Sequence, residues 1–134
     1  MMLTSGVSHQ AAEVAKGFKE QRKFLVLTTK AKKPDIKGSE MAIFQNILKP
    51  INDAVMTVTE LKDTNRPDPK YNHLSTVADG IMLLGWVMAE AKPHKMIDDA
   101  LDSAQFFGNK VSKEFKGKYV TQQYLLRLGS TRWK

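Results

Sequence analysis

Apolar residues in this chain recur at intervals of three and four, and no stretch alternates apolar with polar residues over the length of a strand. The pattern predicts an all-α domain, an antiparallel bundle of five to six helices spanning residues 1–134. Five helical segments can be placed.

The first runs from about His9 to Ala31. Ala11, Val14, Ala15, Phe18, Leu25 and Val26 share one face at about 100° per residue. Phe24 and Leu27 fill the other side, so the second half is expected to be central, since a helix apolar all round is a buried one. Arg22 falls within the stripe and is expected to reach water or an acidic partner at its edge. The second segment runs from about Ser39, a plausible N-cap, to Asn65 and contains Pro50. Phe44, Ile47 and Leu48 before the proline lie in phase with Ile51, Val55 and Val58 after it. One unbroken stripe predicts one helix, bent and not ended.

The third segment, about Tyr71 to Ala91, leaves a narrow polar edge of His73, Thr76 and Asp79. Gly85 on its apolar side predicts close approach of a neighbour. The fourth runs from about Lys95 to Lys116 after a Lys92-Pro93-His94 turn. Its core face is Ile97, Ala100, Leu101, Ala104, Phe107, Val111 and Phe115, and Asp98, Asp99 and Asp102 suit a helix N-terminus. The fifth, about Lys118 to Leu128, has no coherent apolar face and is expected to be the least stable part.

Charge divides the chain. The net +7 comes from basic ends around an acidic middle: seven Lys/Arg against two acids in residues 1–33, seven against eleven in 34–105, and seven against one in 106–134. Such a split implies separate electrostatic surfaces. No recognised nucleic-acid motif accompanies it. Cysteine is absent, which removes thiolate chemistry and fits a reducing compartment. The longest uncharged apolar run, Ile81 to Ala89, falls short of the roughly 20 residues that span a bilayer, so a cytoplasmic protein is expected.

Reactive constellations are missing from the sequence. There is no HExxH, phosphate-binding glycine loop or GxSxG elbow. His94 and Asp98 at i, i+4 could share a metal ion, but two mixed ligands rarely make a dedicated site. No nucleophile stands at a useful spacing from His73, so a structural or hydrogen-bonding role suits it better. The expectation is a binding domain with no catalytic residue, metal or cofactor.

Three stretches carry a family resemblance: Asn65-Arg66 followed by Lys70-Tyr71-Asn72-His73-Leu74-Ser75; Leu84-Gly85-Trp86-Val87; and Ala104-Gln105-Phe106-Phe107 with Asn109-Lys110-Val111 and Lys113-Glu114-Phe115-Lys116. In order and spacing they resemble the N-terminal helical domain of cyclase-associated proteins, as do Gln21-Arg22 and Leu48-Lys49-Pro50-Ile51 upstream. The resemblance covers about residues 18–117. It departs from the family at Lys92-Pro93-His94-Lys95, where a Pro-Gly-Pro-like loop is usual. It departs again at Tyr119-Val120-Thr121-Gln122, where the family's long final helix begins. A shortened final helix would leave an apolar groove open and favour self-association. The family's oligomerising coiled coil, proline-rich middle, WASP-homology motif and actin-monomer-binding β domain have no counterpart in these residues.

The resemblance implies a six-helix bundle that engages actin complexed with ADF/cofilin, promoting filament severing and depolymerisation. In the full-length protein it implies a link to adenylyl cyclase. Monomer and homodimer are both left open. By helical phase Phe106 points about 180° from Ile97, with Asn109, Lys110 and Lys113 around it. An aromatic among cations suits an interface with an acidic partner, although a second neighbouring helix could equally bury Phe106. Arg66, Lys70, Asn72 and His73 join this candidate partner-binding face through the family motif; Asn72 could also cap the third helix. The alternative is a basic helical adaptor touching anionic lipid or nucleic acid through Lys16, Lys19, Arg22 and Lys23.

Overall fold

The computed structural model describes residues 5–35 and 37–116. Four α-helices lie within them: α1 (Ser5–Lys30), α2 (Met41–Thr64), α3 (Tyr71–Ile81) and α4 (Pro93–Glu114), with a 3-10 segment, Met82–Met88, continuing α3. No strand occurs among the described residues. The expected fifth segment, Lys118–Leu128, lies outside them.

Helices consecutive in the chain run antiparallel. Gly6 of α1 lies against Asn65, and Gly17 against Ala54. Gln10, between them, bonds Val58. Along α3 and α4, Asn72 meets Glu114, Thr76 meets Gly108 and Gly80 meets Ala104. α2 and α3 form the middle; α1 packs on α2 and more lightly on α3, while α4 packs on α3 and the 3-10 segment.

α2 obeys its phase. It runs unbroken through Pro50 and buries Leu48, Ile51, Ala54 and Val58. With Ala78, Ile81 and Leu84 from the next elements these make the core, and Val14, Phe24, Phe44 and Val55 pack around it. Fully burying a Leu- or Ile-sized side chain stabilises the fold by roughly 1.5–3 kcal/mol. α4 obeys its phase too: Ala100 and Val111 are buried, and Leu101, Ala104, Phe107 and Phe115 are half-buried.

α1 does not. The side turned to the core carries Gln10, Gly17 and Gln21, all buried, with Val14 and Phe24 half-buried at its margins. Ala11, Ala15, Phe18, Leu25 and Val26, expected inside, are exposed; Phe18 and Val26 both keep 47% of their surface in water. The physical reason is hydrogen bonding. Gln10 Nε2 donates to the carbonyls of Val58 (3.3 Å) and Leu74 (2.9 Å), so one amide ties α1 to both central helices. A helix carbonyl keeps a second lone pair after its ladder bond, and the amide uses it. Gln21 Nε2 reaches the Leu84 carbonyl at a long 3.5 Å. Gly17 lets Leu84 close in, because a Cβ there would lie 3.0 Å from Leu84 Cδ1. The second half of α1 is not central either. Leu25, Val26 and Leu27 are exposed, as are Met41 and Ile43 of α2.

Smaller corrections concern the ends. Ser39 does not cap α2; it lies in a turn, and Glu40 holds the cap position without a side-chain bond. The third segment stops at Met88, not Ala91, and its last seven residues wind as 3-10 helix. Gly80 and Gly85, each about 1 kcal/mol worse than Ala in an α-helix, bracket that change. Gly85 is buried against Met96 of α4, as its apolar position predicts. α4 starts at Pro93, earlier than Lys95, after Lys92 in the left-handed region (φ 52°). Asp98, Asp99 and Asp102 therefore fall beyond its first turn, where the helix dipole fades.

Candidate partner-binding face

Where α3 begins and α4 ends, antiparallel packing brings residues 70–73 to residues 114–115. Lys70 sits just before α3 and its backbone N–H donates to Asp68 Oδ1 at 2.7 Å. Its ammonium lies 4.4 Å from the centre of the Phe115 ring. On the same ring His73 makes an edge-on contact at 5.2 Å. Asn72 does not cap α3; its Nδ2 donates to Glu114 Oε2 at 3.3 Å, across to α4. His73 is half-buried, and its Nδ1 is buried with no described partner. Burial, then the nearby Lys70 charge, hold its pKa below the usual 6.5, against smaller opposing pulls from Glu114 and Asp68. The imidazole is neutral at neutral pH, so one ring nitrogen is an acceptor.

The second patch lies on the outer side of α4. Phe106 is 57% exposed and meets Phe107 edge-on at 5.3 Å. Lys110 Nζ stands 4.5 Å from the Phe106 ring centre and 5.1 Å from that of Phe107. Asn109 accepts a bond from Gln105 Nε2 at 2.8 Å, and Lys113 is exposed in the last turn. Among the described residues no second neighbour buries Phe106. Glu114 follows Lys110 by one helical turn, so the two patches adjoin along α4. Arg66 stands apart in the turn after α2, 3.4 Å from Asp63.

Two members of this face escaped the sequence reading. Phe115, expected on the core face of α4, is half-buried there and is also the ring between Lys70 and His73. Glu114, the partner of Asn72, was visible only through pairing of α3 with α4. Among the described residues no three His, Asp or Glu side chains gather as a metal site, and His94 and Asp98 are exposed. No described helix is long and apolar enough to cross a membrane.

The bundle thus presents edge-on aromatics under lysines at the end of α4, with the neutral His73 imidazole beside them. The family behind it can be stated: residues 2–125 match the CAP N-terminal domain model, and the chain belongs to that family. It is 42% identical over 112 residues to the adenylyl cyclase-associated protein of Schizosaccharomyces pombe (84% of this chain, 20% of that protein). It is 31% identical over 115 residues to adenylyl cyclase-associated protein 2 of Mus musculus (86% and 23%). The chain thus spans about a fifth of the length of these curated relatives. Among solved structures it resembles a CAP N-terminal domain whose crystal structure is described as indicating variable oligomerisation (TM-score 0.82, 26% identity, 94% of this chain and 65% of that one). It also resembles the N-terminal domain from Dictyostelium discoideum (TM-score 0.79, 27% identity, 92% and 67%).

Proposed function

We propose that this domain is a regulator of the actin cytoskeleton. It engages actin complexed with ADF/cofilin and promotes severing, depolymerisation and turnover of filaments. The observation that carries the reading is the exposed Phe106 held against Phe107 under Lys110, with Asn109 and Lys113 beside it and Lys70, Asn72 and His73 adjoining. An exposed aromatic can fill a partner's pocket, and the surrounding cations steer an acidic surface toward it. The reading places the protein in the cytoplasm, as a binding domain and not an enzyme. A link to adenylyl cyclase, carried in the relatives' name, belongs to the whole protein.

Cosedimentation with cofilin-decorated actin filaments tests it. Phe106→Ala, and separately the double change Lys110→Glu with Lys113→Glu, are expected to weaken cosedimentation at least tenfold. Arg66→Ala, standing apart, is expected to matter less. Wild-type binding by both α4 variants would take the outer side of α4 out of the site and leave residues 65–75 as its candidate.

A further inference from the structure

The exposed side of α1 is a second surface. Val7, Ala11, Ala15, Phe18, Leu25 and Val26 form a stripe at helical spacing along about 29 Å of helix. No described element covers it. Its middle holds Arg22, and its outer rim holds Lys19, Lys23 and Lys30, all exposed. The helix has five Lys/Arg against two glutamates, Glu13 and Glu20. Both glutamates are half-buried beside that rim and pair with its inner lysines, Glu13 3.7 Å from Lys16 and Glu20 2.8 Å from Lys23, which leaves Lys19, Arg22 and Lys30 as the cations nearest the stripe. Solvent on the stripe is thus bordered by positive charge.

We infer that this stripe docks an acidic amphipathic helix from a partner protein. Charge decides against a second copy of the chain: a two-fold pairing of α1 with α1 would set Arg22 and the lysine rim against their own kind. Shape decides against a bilayer. Ala11 and Ala15 offer a membrane almost no apolar area, but small residues beside Phe18 and Leu25 let another helix approach closely, with larger knobs on either side. The stripe is the exposed side of α1, whereas the face proposed for cofilin–actin is built from α4 and the start of α3.

The test uses the chain as it stands and a fluorescent synthetic peptide of about 20 residues, long enough to match the stripe. The peptide carries leucines at i, i+3, i+4, i+7 spacing and glutamates on its flanks. Micromolar binding by anisotropy is expected. The pair Phe18→Asn and Leu25→Asn should weaken it at least tenfold. The pair Lys19→Glu and Arg22→Glu should do the same and transfer preference to a peptide with lysines in place of the glutamates. Circular dichroism confirms that the variants stay folded; the charge pair touches only exposed positions and keeps the question answerable if the apolar pair does not. Failure of the acidic peptide to bind overturns the proposal. So does a concentration-dependent dimer abolished by Phe18→Asn, which would assign the stripe to a second copy. So does phosphatidylserine-vesicle binding that depends on Phe18 while peptide binding does not.

Discussion

The two flanking helices, α1 and α4, are both amphipathic in sequence, yet they meet the central pair in opposite ways. α4 turns its apolar stripe inward, burying Ala100 and Val111. α1 turns two glutamines and a glycine inward and leaves a phenylalanine, two leucines and two valines at its surface. Burying an apolar side chain yields on the order of 25 cal/mol per Å² wherever it is buried. It does not say which side of a helix faces the core when the other side can also be satisfied. In α1 that side is satisfied by amide-to-carbonyl bonds and by close approach at Gly17. Hydrophobic periodicity identifies faces; specific bonding and backbone distance choose between them.

The comparison is broken first at Gln10. Replacing it with Ala removes two bonds to carbonyls on α2 and α3 and leaves a cavity among fully packed side chains. Together these are expected to cost about 2–4 kcal/mol, measured by urea denaturation. A loss below about 0.5 kcal/mol, in the range of surface substitutions, would mean that the amide does not fix the orientation of α1.

Gly17→Val tests the second element. A Cβ already meets Leu84 Cδ1 at 3.0 Å and Ala54 Cβ at 3.5 Å, and a branched side chain adds two methyls to that gap. Overpacking should cost about 1–3 kcal/mol. An unchanged unfolding midpoint would show that α1 can slide outward freely.

Where the sequence was legible, a repeated contact surface made it so. The phase of Phe44, Ile47, Ile51, Val55 and Val58 carried α2 through Pro50, because a helix packed along its whole length keeps its register despite one missing ladder bond. The core face of α4 was legible for the same reason. α1 departs from its apolar phase because Gln10, Gly17 and Gln21, at i, i+7 and i+11, form a buried amide–glycine stripe that hydrophobic periodicity does not register. The candidate site divides likewise. Phe106, Asn109, Lys110 and Lys113 share one helix, and phase alone grouped them. The ring of Phe115 between Lys70 and His73 depends on the pairing of two helices, which no single-segment pattern contains.

His73, on the α4 side of the comparison, makes stability depend on pH. Its folded pKa is lowered from the usual 6.5, so below that value the unfolded chain binds more protons than the folded one. The contribution is fully present above pH 6.5 and is lost as pH falls through that value toward the folded pKa. Unfolding midpoints at pH 8 and at about 5.5 should therefore differ more for the wild type than for His73→Gln, which does not titrate. Equal slopes in the two proteins would place the imidazole in ordinary solvent.

The smallest effects sharpen the comparison most, because they set two exposed phenylalanines side by side. Phe18 on α1 belongs to the stripe that periodicity assigns to the core, and Phe106 on α4 to the side it assigns to the surface. In the fold they stand alike, 47% and 57% exposed. If the pattern governed energy, Phe18→Ala would cost the 3–5 kcal/mol typical of a core phenylalanine and Phe106→Ala next to nothing. Their similar exposure predicts nearly the same small cost for both. Phe106→Ala loses a contact with Lys110 worth about 0.5–1 kcal/mol at an exposed site. It regains about half of a kcal/mol through the better helix propensity of alanine. Phe18→Ala makes the same propensity gain and gives up only a partly buried ring, so each should move stability by less than about 1 kcal/mol. Urea denaturation of the two variants beside Gln10→Ala gives the ordering directly. A Phe18→Ala loss as large as that of Gln10→Ala would return the apolar stripe of α1 to the core, and with it remove the free surface on which the docking of an acidic helix depends.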